Sequence, residues 1–177
     1  PELRPLQDAM AIIASETYTA TSAPIQHAAI AAFNGGEDIE EYLVQSRRVL
    51  KVVGEYMHRR LTDMGAVVQK PEGAFYLFPD FSGFRDQLAR KDIKTSQAFC
   101  TALLANTGVA ILPSSDFGFV PDHLGARLAF VDFDGTAALN LAGGDYADQE
   151  LDDSFVQQAC PKLVLAMDKM EKWLNSL

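Results

Sequence analysis

Positive charge is scarce in this chain. Lys and Arg number 15 against 24 Asp and Glu, so the formal charge is −9. So acidic a chain excludes the usual footprint of a nucleic-acid binder, and an anionic membrane would repel it. Cysteine is almost missing: only Cys100 and Cys160 occur, with no C-x-x-C spacing. That excludes a disulfide framework and a structural zinc site, and a reduced cytoplasmic setting is expected. The three histidines, His27, His58 and His123, have no ligand spacing, so no metal is expected. No apolar run approaches the ~20 residues of a membrane span. The opening Pro1-Glu2-Leu3-Arg4-Pro5 lacks the order of a secretory signal. A start at Pro is expected either of a chain that has lost its Met or of a piece of a longer protein.

What is present is a folding composition. The 177 residues are 48% apolar and 22% charged, which excludes wholesale disorder and suits one domain, or one with a short appendage. Pro5 opens a short helix over residues 6–14. Residues 15–22 are rich in hydroxyls and lack helical period. Pro24 opens a second helix to Phe33, stopped by Asn34-Gly35-Gly36. The clearest element is a long amphipathic helix, Ile39–Met64. Asp38 is its expected N-cap, with Glu41 three residues on, and Gly65 is its stop. Leu43, Leu50, Val53, Met57, Leu61 and Met64 recur along it at helical spacing, with acids at its start and bases at its end.

Beyond it the pattern predicts strands at 66–69, 74–78, 109–112 and 126–131. A turn at Lys70–Gly73 separates the first two. Residues 81–94 read as irregular with room for a short helix. Thr95 or Ser96 caps a helix to Asn106. Residues 113–125 and 132–149 read as loops. A last helix runs from Glu150 to the end, broken or kinked at Pro161, with Leu163, Met167, Met170 and Trp173 or Leu174 inward. The fold class is α+β: a small antiparallel or mixed sheet flanked by helices.

Arg127 is the most informative residue. It interrupts an apolar strand in which Ala126, Leu128 and Phe130 share one face and Arg127, Ala129 and Val131 the other. A buried Arg needs an anion, and its planar fork suits a carboxylate. The plainer alternative is a solvated Arg on an edge strand. Tyr76 could donate to a ligand or simply pack. Ser114 and Ser115 are no nucleophiles without a base, and the sequence places none near them. Asp132-Phe133-Asp134-Gly135 lacks the donors of a calcium loop, and Gly143-Gly144 is no phosphate loop.

Five pieces in order resemble one family. They are Ser22-Ala23-Pro24-Ile25-Gln26-His27-Ala28-Ala29, the long helix, Pro71-x-Gly73-Ala74-Phe75-Tyr76, Gly108-Val109-Ala110-Ile111-Leu112-Pro113-Ser114-Ser115-x-Phe117-Gly118, and Arg127-Leu128-Ala129-Phe130. Together they are similar to the C-terminal part of the class I/II, fold-type I, pyridoxal-phosphate-dependent aminotransferases, over roughly residues 1–131. The resemblance implies that residues 1–36 are the end of the large cofactor domain and 37–177 the small domain. It implies that Arg127 clamps the substrate's α-carboxylate, and that Thr19–Ser22 lies near the active site at a dimer interface. It also implies pyridoxal phosphate in the intact enzyme, amino-acid and 2-oxo-acid substrates, and a homodimer.

It places the family's cofactor-binding lysine upstream of Pro1, since Lys51, Lys70, Lys91 and Lys94 fall in the wrong segments. So this chain alone is expected to bind no cofactor, hold no catalytic residue and be inactive. Which of its residues touch the cofactor in the whole enzyme is left open. Two features depart from the family. Ser114 stands where many members have Gly, and residues 132–161 are longer than in the simplest members. The alternative is a free-standing, non-catalytic binding or dimerisation domain of the same fold.

Overall fold

The computed structural model describes residues 3–17 and 21–177. It divides into two compact units, Pro1–Leu43 and Val44–Leu177. The first holds α1 (Arg4–Thr17), α2 (Ala23–Asn34) and the start of α3 (Glu37–Asp63). α1 runs three residues past the expected end. Ser15 and Thr17 turn their hydroxyls back onto the carbonyls of Ile12 and Ile13, so this stretch stays helical. Thr19 and its neighbours Tyr18 and Ala20 lie outside the described residues. Neither α1 nor α2 has a buried residue, and Leu6, Met10, Ile13 and Phe33 stand open.

α3 begins at Glu37, ahead of the expected cap. Glu40 N–H donates to the Gly36 carbonyl at 3.0 Å, so Asp38 lies within the first turn rather than capping it. Glu37, Asp38 and Glu40 there suit the positive end of the helix dipole. In the second unit α3 buries Val49, Val52, Val53, Tyr56, Met57 and Leu61.

The sheet is three antiparallel strands in the order β1-β3-β2: β1 (Tyr76–Leu77), β2 (Leu112–Pro113) and β3 (Ala126–Ala129). Tyr76 pairs with Ala129, and Leu112 with Arg127. Bonds from Phe130 N–H to Phe75 C=O and from Ala126 N–H to Pro79 C=O carry the β1–β3 ladder past its strand limits. The other expected strands shrink. Residues 66–69 keep only a bridge from Val67 to Asp80. Val109 N–H turns locally to Thr107 Oγ1 at 3.1 Å, so the stretch expected at 109–112 pairs only from Leu112.

Five more helices complete the second unit: α4 (Arg85–Arg90), α5 (Ser96–Thr107), α6 (Gly135–Gly143), α7 (Asp153–Ala159) and α8 (Pro161–Leu174). α5 packs on β2, and α8 on α5. Thr95 Oγ1 caps α5 from Ala98 N–H. α6 corrects the expected loop at 132–149. Asp134 caps it by accepting from Ala137 N–H, and Ala138 and Ala142, one turn apart, are fully buried. Asp152 caps α7, accepting from Ser154 and Phe155. The last helix is broken, as expected, at Pro161, which opens α8 after Cys160; α7 starts at Asp153 rather than Glu150. Phe81, Phe99, Phe130, Phe155, Met57, Met167 and Met170 fill the core.

Arg60 ties α3 to α8, donating to Asp168 at 2.7 Å and Glu171 at 3.1 Å, and to Tyr56 Oη at 2.7 Å. Burial works against its charge, but these bonds outweigh it and hold the guanidinium above its ordinary value. Cys100 and Cys160 are free and buried. Burial, with the charge of Asp116 in support, pushes the Cys100 thiol up to about 12. Burial alone pushes Cys160 up to about 11.

Candidate substrate-carboxylate site

β3 sorts its side chains with period two. Ala126, Leu128 and Phe130 are buried, whereas Arg127, Ala129 and Val131 face the open side. Because β3 is the middle strand, the edge-strand alternative for Arg127 fails. Register then fixes its company. Leu112 lies opposite it on β2, and Tyr76 stands opposite Ala129 on β1.

Arg127 is half-buried between two rings. Its Cζ lies 4.5 Å from the Tyr76 centroid and 4.6 Å from that of Phe117. Such contacts contribute roughly 0.5–2 kcal/mol each. They hold the guanidinium against both rings. Among the described residues Arg127 has no ion pair and no side-chain hydrogen bond. A fork with free in-plane donors has the geometry that can pair with a carboxylate. Beside it lies a hollow of about 130 Å³ lined by Tyr76, Ala110, Ile111, Leu112 and Ala129.

Two supports hold the rings. The turn at 71–74 reaches β1 with Ala74 at φ 57°. Below it, Gly54 of α3 lets Pro71 and Phe130 come close; a Cβ there would lie 3.2 and 3.1 Å from them. Phe117 ends a 3₁₀ turn, Ser114–Phe117, and packs edge-on against Phe78, which stacks on Phe119, which stacks on His123. Sequence reading gave Phe117 no role. Its signal was the Phe117-Gly118-Phe119 spacing in a loop otherwise polar.

The expectation that no base lies near Ser114 is corrected. His123 Nδ1 is 3.1 Å from Ser114 Oγ, and its Nε2 is 3.7 Å from the Asp80 carboxylate. The trio is still no nucleophile. Ser114 is fully buried, and its hydroxyl proton goes to the His123 carbonyl at 2.8 Å. With that proton committed, Nδ1 is the donor to Oγ. Gly125 makes this possible, because a Cβ there would collide with the imidazole. The group pins the loop that carries Phe117.

Elsewhere, Asp132 pairs with Lys162 and Asp134 caps α6. Among the described residues no cluster of three His, Cys, Asp or Glu could hold a metal ion. Lys70 pairs with Glu55, Lys94 with Asp92, and Lys91 reaches the Ser176 carbonyl. No lysine and no acid lines the hollow beside Arg127. The described residues there do not fit pyridoxal phosphate by themselves.

The family model for aminotransferase class I and II matches residues 4–131. The chain belongs to that family. It is 37% identical over 123 residues to an aspartate aminotransferase of Rhizobium meliloti (strain 1021), covering 67% of this chain and 29% of the relative. It is 34% identical over 112 residues to an aspartate aminotransferase of Bacillus sp. (strain YM-2), covering 63% and 27%. It thus spans under a third of these aminotransferases. Among solved structures, an aromatic aminotransferase from Pyrococcus horikoshii OT3 matches 96% of this chain and 36% of its own, with TM-score 0.67 and 24% identity, which speaks to fold alone. An aspartate aminotransferase from Thermotoga maritima matches 92% and 31%, with TM-score 0.56 and 26% identity. The expected α+β class and family likeness both hold. α6, α7 and α8 lie beyond the part that the family model matches.

Proposed function

We propose that this chain is the C-terminal portion of an aminotransferase that moves an amino group between an amino acid and a 2-oxo acid. Arg127 takes the substrate's α-carboxylate. The observation that carries the reading is the guanidinium held between Tyr76 and Phe117 with its donor edge unpaired. Clamping the carboxylate at two points fixes the position of the α-carbon, which is what positional catalysis requires. In the intact enzyme pyridoxal phosphate carries the amino group, and its site belongs to the part of the family's fold that this chain does not span. Residues 1–36 then read as the end of the large domain and 37–177 as the small domain. A homodimer and a reducing, cytoplasmic setting complete the reading, and the two buried free thiols are compatible with the latter.

The test is Arg127→Lys and Arg127→Ala in the intact enzyme. Losing a charge-assisted pair should raise KM for both substrates roughly 10- to 100-fold. Unchanged kinetics in both variants would overturn the assignment. This chain alone, given pyridoxal phosphate, an amino acid and a 2-oxo acid, should form no product. The alternative, a free-standing binding domain, has the self-contained core of Val44–Leu177 in its favour. The uncovered apolar side chains of α1 and α2 count against it.

A further inference from the structure

A row of rings runs from the guanidinium to His123. Arg127 Cζ lies 4.6 Å from the Phe117 centroid. Phe117 meets Phe78 edge-on at 5.7 Å, Phe78 stacks on Phe119 at 5.3 Å, and Phe119 stacks on the imidazole at 4.6 Å with the planes 21° apart. Contacts of this geometry are attractive in their own right, so each ring restrains the next. Every member belongs to the second unit, Val44–Leu177.

The His123 end of the row is met on two sides, and only one of the two contacts is complete. Ser114 Oγ accepts from Nδ1 at 3.1 Å. That uses the single N–H of a neutral imidazole. Nε2 is then left with a lone pair, and it faces Asp80 Oδ2 at 3.7 Å. Asp80 is held in place: its Oδ1 accepts from Ser82 N–H at 2.8 Å, and its backbone is bridged to Val67 and Gly125. A second proton on the ring turns the contact with Asp80 into a charge-assisted bond. It also puts a cation over the Phe119 face, within cation–π reach. Imidazole is the side chain that takes up such a proton between pH 5 and 8. The other charges around the loop are engaged elsewhere. Arg85 of α4 donates to the Asp122 carbonyl at 2.8 Å, and the charge of Asp116 acts on Cys100.

We infer that His123 is a positioning residue for Arg127: its protonation against Asp80 tightens the row of rings and so sets how firmly the guanidinium holds a carboxylate. This rests on the carboxylate reading of Arg127 and adds a control over it. Affinity for a carboxylate is then higher on the acid side of the imidazole titration and lower on the alkaline side.

The experiment is a pyruvate titration of the 177-residue chain at pH 5.5 and at pH 8, read by NMR at Arg127 Cζ, with the His123 ring carbons followed in the same samples. Pyruvate stays ionised across this range, so only the protein titrates. Circular dichroism confirms that each variant is folded. Pyruvate should bind about 5-fold more tightly at pH 5.5, the lower end of ordinary coupling between two sites. Coupling is reciprocal, so saturating pyruvate should move the His123 titration to higher pH by the same factor, about 0.7 of a pH unit. Asp80→Asn places an amide N–H opposite Nε2 and makes the bond without the proton. It should bind pyruvate at pH 8 as tightly as the unaltered chain does at pH 5.5. Phe119→Leu opens the row but keeps His123 and Asp80, so His123 should still titrate while the affinity no longer follows it.

Equal affinity at the two pH values in a chain whose His123 titrates, or a pH preference that both variants keep, would overturn the inference and leave the carboxylate clamp standing. So would a His123 that holds one charge state over the whole range. If pyruvate moves Arg127 at neither pH in a folded chain, the clamp itself falls and the inference with it.

Discussion

Ser114 donates to the carbonyl of His123 and accepts from that residue's ring, in a site where no water reaches the hydroxyl. Ser114→Ala should therefore lower stability by about 1 kcal/mol, read from the urea midpoint, with Ser114→Gly somewhat worse. The same substitution should loosen Phe117 and broaden the Arg127 Nε–H resonance, because the loop's pin is lost. A midpoint and a resonance both unchanged would show that the loop is held elsewhere. Arg127 was legible in the sequence because a charge inside an apolar alternation has few explanations. Its sandwich was not, because Phe117 lies in a loop, where no periodicity says which way a ring points. The Ser114–His123 contact was hidden for a related reason: only the turn at Gly118 and the close approach at Gly125 fold that loop back on itself.

Among the elements, α6 and the middle of α3 offer the clearest tests. Asp134→Ala removes the α6 cap and should cost about 1 kcal/mol, seen as faster amide exchange over 135–143 with α3 unaffected. Gly54→Val should cost about 1–3 kcal/mol, since its side chain would have to displace Phe130 or Pro71. A stabilised variant would mean that helix propensity outweighs the crowding. pH gives a third test, at α7. Bonds from Ser154, first its hydroxyl, and from Phe155 hold the Asp152 carboxyl below its ordinary value. A lowered folded value means the cap is fully present above the ordinary carboxylate range and is lost as pH falls through the lowered value. Ser154 and Phe155 amide shifts should therefore stay constant at pH 5 and move only in strong acid. The long helix was legible from period and charge order. α6 was not, because the Asp, Asn and Gly in and around it mimic a loop; the usable sign was Asp134 ahead of a run holding Ala138 and Ala142 one turn apart. The strands were legible in place but not in length, since local bonds such as Val109 to Thr107 take groups the ladder would use.

For the molecule as a whole, the two thiols report on folding. With Cys100 pushed up to about 12 and Cys160 to about 11, neither ionises at pH 8 in the folded chain. A thiol reagent should leave both untouched in buffer and label both in urea. Raised folded values also set the sign of the pH dependence. The stability these thiols contribute is complete below the unfolded thiol value near 9.0 and declines as pH rises above it. Labelling of the native chain at pH 8 would show that the core opens locally.

The sheet's topology has a kinetic consequence. β1 pairs directly with β3, skipping β2 in chain order, and Tyr76, Leu112 and Arg127 come from three well-separated stretches of chain. No two of them meet through a tight hairpin, and closing such long loops is slow compared with winding α3 or α8. The helices can form early, but the arginine's aromatic walls exist only when the last of these loops has closed. During refolding, the affinity for a carboxylate should rise with the slowest structural phase and at no earlier step, so a weak organic acid becomes a clock for the completion of the fold.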